Sequence, residues 1–480
     1  MNWRLGDIVA ASAGRLLYGE APRSFGGIGI DSRTIGPGDF FVAIRGATHD
    51  GHRFIPQAVA DGVRGIMVQE PGAIQLDHEV FERQGVACVA VSDTTRALGA
   101  LAAFLRRRVR IPVVAITGSN GKTSTRRMTT LVMDRQFNTL ATQGNLNNEI
   151  GLPLTLFRLT EGHQAAVLEL GMNHSGEIDR LGAICRPTIG LITNVGPAHL
   201  EFFGSVKAVA RAKAELLAHI DPGGYAVLNR DDENVAAMAD QAPCRVLYFG
   251  TGSGADIRAE AILETPGGVH FRLILPNDRM DIALRSPGRF MVSNALAAAA
   301  ASFAAGVAGP AIKEGLESFR PVRGRLDVLT AANQVHIIDD TYNANPSSMA
   351  AAIQTLAALK GSNRGFIVLG DMLELGDGAP VLHRQVGALA GQTGAVKLYA
   401  CGQYAEDVLA GARQVGMAPG RLVAAAKEEI AAFLTDELQT GDWLLIKGSR
   451  GMAMETIVQA VQEWARKESG QSEAERKSQS

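Results

Sequence analysis

The sequence predicts an α/β protein of three domains with a mostly parallel sheet at its centre. Its 480 residues are too many for one ordinary hydrophobic core, and the length suggests about three domains. Short apolar runs alternate with helix-like segments over most of the chain, a pattern typical of parallel sheets that are buried on both faces. A composition of 46% hydrophobic and 20% charged residues is that of a globular protein.

Charge and cysteine usage exclude several function classes. The formal net charge is only −2, so no basic field would draw the chain to nucleic acid or to anionic lipid. The cysteines have no paired spacing for a zinc site or a disulfide framework, so we expect free thiols. They are Cys88, Cys185, Cys244 and Cys401. Asp7 interrupts the apolar core that a signal peptide needs, and the longest apolar run is too short to cross a bilayer. We therefore expect a cytoplasmic protein without membrane insertion.

The first domain is predicted over residues 1–108. A strand-like run from Phe40 to Ile44 is followed by a polar loop, a helix-like segment and another apolar strand. The helix that we predict from Thr94 to Arg108 ends in three arginines and precedes a proline, which indicates the end of the domain.

The second domain is predicted over residues 109–320. Its strand-like runs are VVAIT, AAVLEL, TIGLIT, YAVLN and RVLYFG. Residues 257–284 alternate more strongly, which favours a small antiparallel insertion, and SNALAAAAASFAAG is predicted to be a helix.

A hinge at residues 319–329 leads to a third domain, residues 321–465, in which the strand–helix alternation restarts. Residues 466–480 are mostly polar and are predicted to be disordered.

The segment VVAITGSNGKTSTRRMTT, residues 113–130, is typical of a loop that cradles a phosphate. Gly118 and Gly121 allow backbone N–H groups to approach phosphate oxygens at a helix N-terminus. Lys122 would neutralise the β- and γ-phosphates, and the Thr123 hydroxyl would hold Mg²⁺. The usual pattern has four residues between its first glycine and Gly-Lys-Thr, whereas this loop has two. The alternative is an ordinary strand–turn–helix with a chance Gly-Lys-Thr.

Polar side chains follow two further strand-like runs. Glu169 lies near the end of an apolar run, where a carboxylate is costly to bury without a partner. We expect it at the nucleotide crevice as a Mg²⁺ ligand. Asn194 and His199 follow the next run and are predicted at the same edge of the sheet. The alternatives are an acid paired with a surface residue and a structural histidine.

Lys213 interrupts an apolar helical stripe. At about 100° per residue the stripe consists of Val206, Val209, Ala210, Leu216 and Leu217, and Lys213 falls in its middle. This lysine must either extend its amine to solvent or be partly buried with a lowered pKa. A neutral buried amine is nucleophilic, and CO₂ would convert it to a carbamate. Both alternatives stay open on this pattern.

Asp and Asn residues crowd the turn after the first strand-like run of the third domain. They are Asp339, Asp340, Asn343 and Asn345. Such a turn suits hydrogen bonding to a polar ligand, and the alternative is an Asx-rich turn with Ser347 capping the next helix. Lys447 and Arg450 follow a later strand-like run and would suit a carboxylate.

Taken in order, these motifs resemble the ATP-dependent Mur ligases of peptidoglycan synthesis, whose phosphate loop has the same short Thr-Gly-x-x-Gly-Lys-Thr spacing. The resemblance covers roughly residues 25–460. It is closest to the branch that joins D-alanyl-D-alanine to UDP-N-acetylmuramoyl-tripeptide. The segments that carry it are TQGNLNNEIGLPLTL, LELGMNHSGEI, DDTYNANPSSM, VLGDMLELG and IKGSRGMAME.

The resemblance implies an N-terminal UDP-binding α/β domain, a central P-loop-type ATPase domain and a C-terminal Rossmann-like domain. It also implies that the tripeptide carboxylate attacks the γ-phosphate of ATP to give an acyl phosphate. The amino group of D-alanyl-D-alanine then displaces phosphate. The implied cofactors are ATP, Mg²⁺ at two sites and a CO₂-derived carbamate on Lys213. We expect a monomer that binds small-molecule substrates and no nucleic acid.

The resemblance also implies roles for individual residues, with Lys122, Glu169, His199 and Lys213 as the catalytic group. Thr123 and Glu169 match one Mg²⁺ site, and His199 and carbamylated Lys213 match the second. ATP would contact Thr117, Gly118, Ser119, Asn120, Gly121, Lys122, Thr123, Ser124, Asn294, Arg325 and Asp340. The UDP substrate would contact Ser32, Arg33, Thr34, Arg45, Thr48, Asn145 and Asn148. D-alanyl-D-alanine would lie near Asn343, Asn345, Ser347, Lys447 and Arg450.

One departure and two rival functions remain. The family often has His-Asn where this chain has Phe290 and Met291, so the nucleobase contacts differ. The rival enzyme is a related ligase that adds one amino acid, or a folylpolyglutamate-type synthetase. The rival from another class is a binding protein switched by nucleotide hydrolysis. The third residue of the tripeptide, meso-diaminopimelate or lysine, stays open.

Overall fold

The computed structural model describes residues 2–20, 23–46, 49–70, 78–265 and 267–470. Its first part contains β1 (Trp3–Arg4), α1 (Leu5–Ser12), β2 (Arg15–Tyr18), β3 (Ser24–Phe25), β4 (Ile28–Gly29), β5 (Phe40–Val42), α2 (Ile55–Ala60), β6 (Gly65–Gln69), α3 (His78–Arg83), β7 (Ala87–Val91) and α4 (Thr94–Arg107). The five-stranded sheet has the order β2-β7-β6-β5-β4. It is parallel except for β2, which pairs antiparallel with β7.

Two elements predicted for this part agree with the structure to within two residues at their ends. The strand predicted from Phe40 to Ile44 ends at Val42, although both residues beyond it remain buried. The predicted helix α4 begins at Thr94 because the Asp93 side chain caps it by accepting from two backbone N–H groups.

The second part contains β8 (Val113–Thr117), α5 (Lys122–Met133), β9 (Thr139–Ala141), α6 (Gly151–Leu156), β10 (Ala165–Glu169), α7 (Glu177–Cys185), β11 (Ile189–Ile192), α8 (Leu200–Phe203), α9 (Val206–Ala214), β12 (Tyr225–Asn229), α10 (Glu233–Ala236), β13 (Arg245–Gly250), β14 (Ile257–Thr265), β15 (Gly268–Leu275), β16 (Asp278–Leu284), α11 (Phe290–Ala304) and α12 (Gly309–Glu317). Its nine-stranded sheet has the order β16-β15-β14-β13-β12-β11-β8-β10-β9. Strands β8 to β14 pair in parallel, whereas β15 and β16 add an antiparallel edge, which confirms the predicted insertion.

The position of β8 in this sheet explains where the polar residues meet. All of β8 is buried, as expected for a central parallel strand with helices on both faces. Its neighbours β10 and β11 run in the same direction. The carboxyl ends of the three strands therefore meet at one edge, at the start of α5.

The third part contains β17 (Asp327–Thr330), β18 (His336–Asp340), α13 (Pro346–Lys360), β19 (Gly365–Leu369), α14 (Ala379–Gly391), β20 (Lys397–Ala400), α15 (Ala405–Gln414), β21 (Leu422–Ala424), α16 (Lys427–Glu437), β22 (Trp443–Lys447) and α17 (Glu455–Glu468). Its six-stranded sheet has the order β17-β18-β22-β19-β20-β21. Only β17 pairs antiparallel, so the predicted second α/β unit is confirmed.

The tail that we predict to be disordered starts at residue 466, which lies inside a helix in the structure. Helix α17 continues to Glu468, and Arg466 and Lys467 suit its last turn because basic side chains interact favourably with a helix C-terminus. Residues 471–480, on which the rest of that prediction falls, lie outside the described residues. Within the part that the structure describes, no helix combines the length and apolar character needed to cross a membrane.

The hydrophobic clusters join the three parts of the chain. One cluster runs from Trp3 and Leu98 through Val113 to Leu216, so the first part shares a core with one face of the central sheet. Phe290, at the start of α11, packs against both the second central cluster and a cluster of the third part.

Candidate active site

A cavity of about 700 Å³ lies between the central sheet and the C-terminal part. Most of the site residues predicted from the sequence line it. They are Ser119, Asn120, Gly121, Lys122, Thr123, Ser124, Asn145, Asn148, Glu169, His199, Asn294, Arg325, Asp340, Asn343, Asn345, Ser347 and Lys447. A smaller cavity of about 170 Å³ shares Asn148 and Glu177 with the first and reaches Thr95 of α4.

The two glycines of the loop between β8 and α5 are required by its geometry. Gly118 has φ 148°, and a Cβ there would overlap the Thr193 hydroxyl. Gly121 has φ 81°, and a Cβ would overlap Oδ1 of Asn294. Both positive φ angles are readily accessible only to glycine. The short loop is therefore packed tightly against β11 and α11.

The loop is held from both sides of the cavity. The backbone N–H of Asn120 donates to Asn194 Oδ1 at 2.9 Å, and Ser119 Oγ accepts from Gly196 N at 3.0 Å. From the C-terminal part, Asn345 Nδ2 donates to Asn120 Oδ1 at 2.7 Å. Asn194 therefore lies at the edge predicted for it, where it fixes the loop.

Lys122 lies at the start of α5 and faces the cavity. Its Nζ donates to the carbonyl oxygen of Gly118 at 2.7 Å. Burial lowers the pKa of Lys122, and the positive charge of Arg325 lowers it further, whereas Glu169 opposes both effects. Lys122 is the first residue of α5, and a cationic side chain at a helix N-terminus suits phosphate.

Glu169 is a buried carboxylate with several partners. It is only 2% exposed. Arg126 Nε donates to its Oε2 at 3.1 Å, while Asn147 Nδ2 at 2.9 Å and Thr123 Oγ1 at 3.3 Å donate to its Oε1. The Arg126 side chain is 12% exposed, so the alternative of a pair with a surface residue is wrong.

His199 makes a contact between the two halves of the site. Its Nδ1 lies 2.6 Å from Oε2 of Glu374, which follows β19 in the C-terminal part. Burial lowers the pKa of His199, with smaller contributions in the same direction from Lys122 and Lys213, whereas the hydrogen bond to Glu374 raises it. The contact therefore combines a cavity-lining imidazole with a carboxylate from another sheet.

Lys213 is buried, so the alternative of an amine that extends to solvent is wrong. The residue is 2% exposed, in the last turn of α9. Burial lowers the pKa of Lys213 well below its ordinary value, and the charge of Lys122 adds to this effect. None of the residues that the structure describes forms a hydrogen bond or ion pair with its amine. This shift moves the amine toward its neutral, nucleophilic form.

The turn after β18 forms the opposite wall. Lys447 Nζ pairs with Asp340 Oδ2 at 2.5 Å and donates to the Asn343 carbonyl at 2.9 Å. Helix α13 is capped by Asn345 in a capping box with Ser348. The alternative that assigned the cap to Ser347 is wrong, because the proline at position 346 takes the first helical position.

Several predicted residues lie elsewhere. Ser32, Arg33, Thr34 and Arg45 belong to loops of the first part and do not line the large cavity. Arg33 pairs with Asp31, and Arg45 with Asp50. Thr48 lies outside the described residues. Thr117 is buried in β8, and neither it nor Gly118 lines the cavity. Arg450 is exposed, pairs with Glu455 and does not line the cavity, although its guanidinium carbon lies 5.9 Å from the ring centroid of Tyr342, which does.

Sequence reasoning missed four residues of the site: Arg126, Asn147, Glu374 and Tyr342. Arg126 lies one helical turn after Lys122, on the side facing Glu169, and this spacing could have indicated it. Tyr342 contacts Arg325, whose guanidinium carbon lies 4.0 Å from the ring centroid. Asn147 and Glu374 lie within two of the segments that carry the family resemblance, but nothing local identifies their partners, which are 22 and 175 positions away.

The unusual residues Phe290 and Met291 both line the cavity. Asn294 Nδ2 donates to Met291 Sδ at 3.4 Å, and Asn294 Oδ1 accepts from Thr125 Oγ1 at 3.4 Å. The Asn294 side chain therefore supports the glycine loop, and the apolar side chains form this part of the cavity wall.

The donor set suits a divalent cation that phosphate oxygens help to hold. Thr123 and Glu169 supply oxygen donors, which Mg²⁺ prefers. Each carboxylate oxygen has two lone pairs, and from the residues that the structure describes Oε2 of Glu169 accepts only the bond from Arg126, so this oxygen keeps capacity for a cation. His199 supplies nitrogen only, so an ion there needs further oxygens. Among the described residues, no three His, Cys, Asp or Glu side chains form a metal cluster, so phosphate oxygens would have to complete the coordination of an ion here.

Comparison with known proteins identifies the family. Three models match the chain in order: the Mur ligase family, catalytic domain, at residues 24–106; the Mur ligase middle domain at 116–302; and the Mur ligase, glutamate ligase domain, at 324–450. The UDP-N-acetylmuramoyl-tripeptide–D-alanyl-D-alanine ligase of Escherichia coli (strain K12) is 38% identical over 90% of this chain and 93% of that protein. The ligase of the same name from Bacillus subtilis (strain 168) is 32% identical over 90% and 92%.

Solved structures agree with these sequence matches. A MurF crystal structure from Acinetobacter baumannii has a TM-score of 0.88 and 35% identity, and covers 96% of this chain and 99% of that one. MurF ligase from Thermotoga maritima in complex with ADP has a TM-score of 0.80 and 26% identity over 92% and 98%. The predicted three-part α/β fold and family resemblance are thereby confirmed: this chain belongs to the Mur ligase family.

Proposed function

We propose that this chain joins D-alanyl-D-alanine to UDP-N-acetylmuramoyl-tripeptide with hydrolysis of ATP to ADP and phosphate, in peptidoglycan precursor synthesis. The observation that carries the proposal is the cavity in which the glycine loop and Glu169 face the Asn343–Asn345 turn. Relatives named for this reaction align over about nine-tenths of the chain. A cytoplasmic location, a monomeric state and the domain boundaries 1–108, 109–320 and 321–465 are part of the proposal.

In the proposed mechanism the tripeptide carboxylate attacks the γ-phosphorus of ATP, and ADP leaves. Lys122 neutralises the charge on the transferred phosphoryl group. Thr123 and Glu169 would hold a Mg²⁺, which would supply positive charge that stabilises the developing negative charge of the phosphoryl group. The acyl phosphate then loses phosphate when the dipeptide amine attacks its carbonyl carbon. Because an acyl phosphate hydrolyses in water, the wall formed by the C-terminal part protects it.

Lys213 is proposed to carry a carbamate. Its neutral amine adds to CO₂ and releases one proton, giving N-carboxylysine with a net negative charge. This change converts an unpartnered amine into an oxygen donor, and with His199 it would hold a second cation. The lowered pKa and burial of Lys213 support this assignment.

In this proposal the UDP-linked substrate and the dipeptide occupy different parts of the cavity. The smaller cavity is lined by Thr95 of α4 and by Asn148, which also lines the large cavity, so the UDP-linked substrate would enter from the first part of the chain. Ser32, Arg33, Thr34 and Arg45 lie on that part and remain our proposed UDP contacts. Asn343, Asn345, Ser347 and Lys447 remain the proposed surroundings of the dipeptide.

An ADP-release assay with purified protein tests the function. We expect release only when ATP, UDP-tripeptide and D-alanyl-D-alanine are all present, with one amide formed per ADP. Single amino acids replace the dipeptide in one arm, and ATP alone is used in another. Equal turnover with a single amino acid would favour a related ligase, and substrate-independent hydrolysis would favour a nucleotide-switched binding protein. Parallel arms with meso-diaminopimelate and lysine tripeptides identify the third residue.

A further inference from the structure

The pair formed by His199 and Glu374 links residues that are 175 positions apart in the sequence. His199 follows β11 of the central sheet, and Glu374 lies in the loop after β19 of the C-terminal sheet. The Nδ1 and Oε2 atoms are 2.6 Å apart. Neither sheet supplies both members, so the pair exists only while the two sheets are docked.

The backbone around the pair is constrained as well. The N–H of Glu201 in α8 donates to the carbonyl oxygen of Glu374 at 3.1 Å. His199 has φ 55° and Glu374 has φ 62°, and both lie in the left-handed region that residues with a Cβ seldom occupy. A Cβ on Gly376 would come within 3.3 Å of the Glu201 Cα. Such conformations persist where the surroundings determine them, and they concentrate at functional sites.

The contact fixes the state of the imidazole. A carboxylate accepts hydrogen bonds, so Nδ1 of His199 must be the nitrogen that carries the proton. In the neutral ring this leaves the lone pair on Nε2. Carboxylates that hold histidine ligands in this manner fix both tautomer and ring orientation. His199 lines the cavity. The lone pair on its Nε2 is therefore available to a group bound there.

We propose that Glu374 is a positioning residue: the C-terminal sheet supplies its carboxylate to His199, so that the imidazole can hold a divalent cation only when the two sheets are docked. This inference rests on the proposed ligase function for its catalytic consequence. Docking of the two sheets is thereby coupled to the affinity of the site for the cation. The exposed fractions of the two side chains, 22% for His199 and 41% for Glu374, indicate that the pair contributes little to stability.

Three variants of the full chain separate this role from a simple interdomain contact. Glu374→Ala removes the acceptor, whereas Glu374→Gln keeps an oxygen that can accept from Nδ1. Glu201→Gln is the matched control, because the adjacent loop uses only the backbone of this exposed residue. Mn²⁺ affinity is measured by electron paramagnetic resonance with a non-hydrolysable ATP analogue present, and domain docking by small-angle X-ray scattering.

We expect Glu374→Ala to weaken one Mn²⁺ site by about 10–100-fold and to lower kcat similarly, with KM for the dipeptide and the scattering profile unchanged. Glu374→Gln should recover most of the affinity, and Glu201→Gln should match the wild type. Wild-type Mn²⁺ affinity in Glu374→Ala would overturn the proposal, whether or not the scattering profile expands. A wild-type protein that binds Mn²⁺ as expected but ligates no dipeptide would instead refute the ligase function alone.

Discussion

Asn345 Nδ2 donates a hydrogen bond to Asn120 Oδ1 at 2.7 Å, and this bond joins the N-cap of α13 to the glycine loop before α5. The same Asn345 side chain accepts from Ser348 N at 2.9 Å. One amide therefore caps a helix with its oxygen and contacts the opposite wall of the site with its nitrogen. Substitutions can separate these two roles.

Asn345→Asp should retain the cap and lose the bond to Asn120, because an aspartate accepts from Ser348 but donates nothing. We expect the KM for ATP to rise with little change in the free energy of unfolding. Asn345→Ala should raise the KM and also lose about 1 kcal/mol of stability. Urea denaturation and ADP release measure the two effects. A wild-type KM in Asn345→Asp would show that the interdomain bond is dispensable.

Lys213→Met should abolish ligation without destabilising the fold. The substitution keeps an unbranched side chain of similar length and removes a buried amine that has no partner among the described residues. The free energy of unfolding should stay equal or rise. Lys207→Met, an exposed position on the same helix, is the control and should keep full activity. Partial recovery of Lys213→Ala by short carboxylates would support the carbamate, and wild-type activity in that variant would refute it.

Gly121→Ala should weaken nucleotide binding by about 10-fold or more, because it adds backbone strain and an overlap with Asn294. Gly306→Ala is the matched control: its φ of 84° is similar, but no atom lies within 4 Å of the added Cβ. It should lose stability and keep nucleotide affinity. Isothermal titration with ADP distinguishes the two variants, and equal affinities would contradict the role assigned to the loop.

Cys185 should make stability fall in alkaline solution. Burial raises the pKa of the Cys185 thiol from 9.0 to about 12, so the unfolded chain releases this proton at lower pH than the folded chain. The contribution is fully present below pH 9 and is lost as the pH rises toward 12, by at most about 1.4 kcal/mol per unit. Cys185→Ala should reduce the pH dependence between pH 8 and 10.5 in urea unfolding. Identical slopes in the two proteins would refute this assignment.

Local patterns predicted the parts of the site that one segment determines. The strand–glycine–helix pattern located Lys122, and the helical stripe singled out Lys213 but left open whether its amine is buried. These succeed because burial on a strand or helix repeats with a fixed period, which a single sequence displays. The parallel pairing of β8 to β14 in the central sheet likewise follows from the alternation of apolar runs and helices, although the order of the strands does not.

The pairings across segments were not predictable in this way. Arg126 meets Glu169, and His199 meets Glu374, only because separate elements pack together. A carboxylate such as Glu374 in a loop has no periodic signal that identifies its partner. The exact cap of α13 depended on the neighbouring proline rather than on Ser347. Such details depend on three-dimensional packing, which one sequence does not display.

The strand order of the C-terminal sheet has a consequence during synthesis. Strand β22 lies between β18 and β19, although it emerges from the ribosome after all the other strands of its sheet. Until it inserts, that sheet remains two separate pieces, and Lys447 cannot reach Asp340. A nascent chain therefore completes its phosphate loop before the opposite wall of the cavity forms. We expect such a chain to bind nucleotide before it is able to ligate.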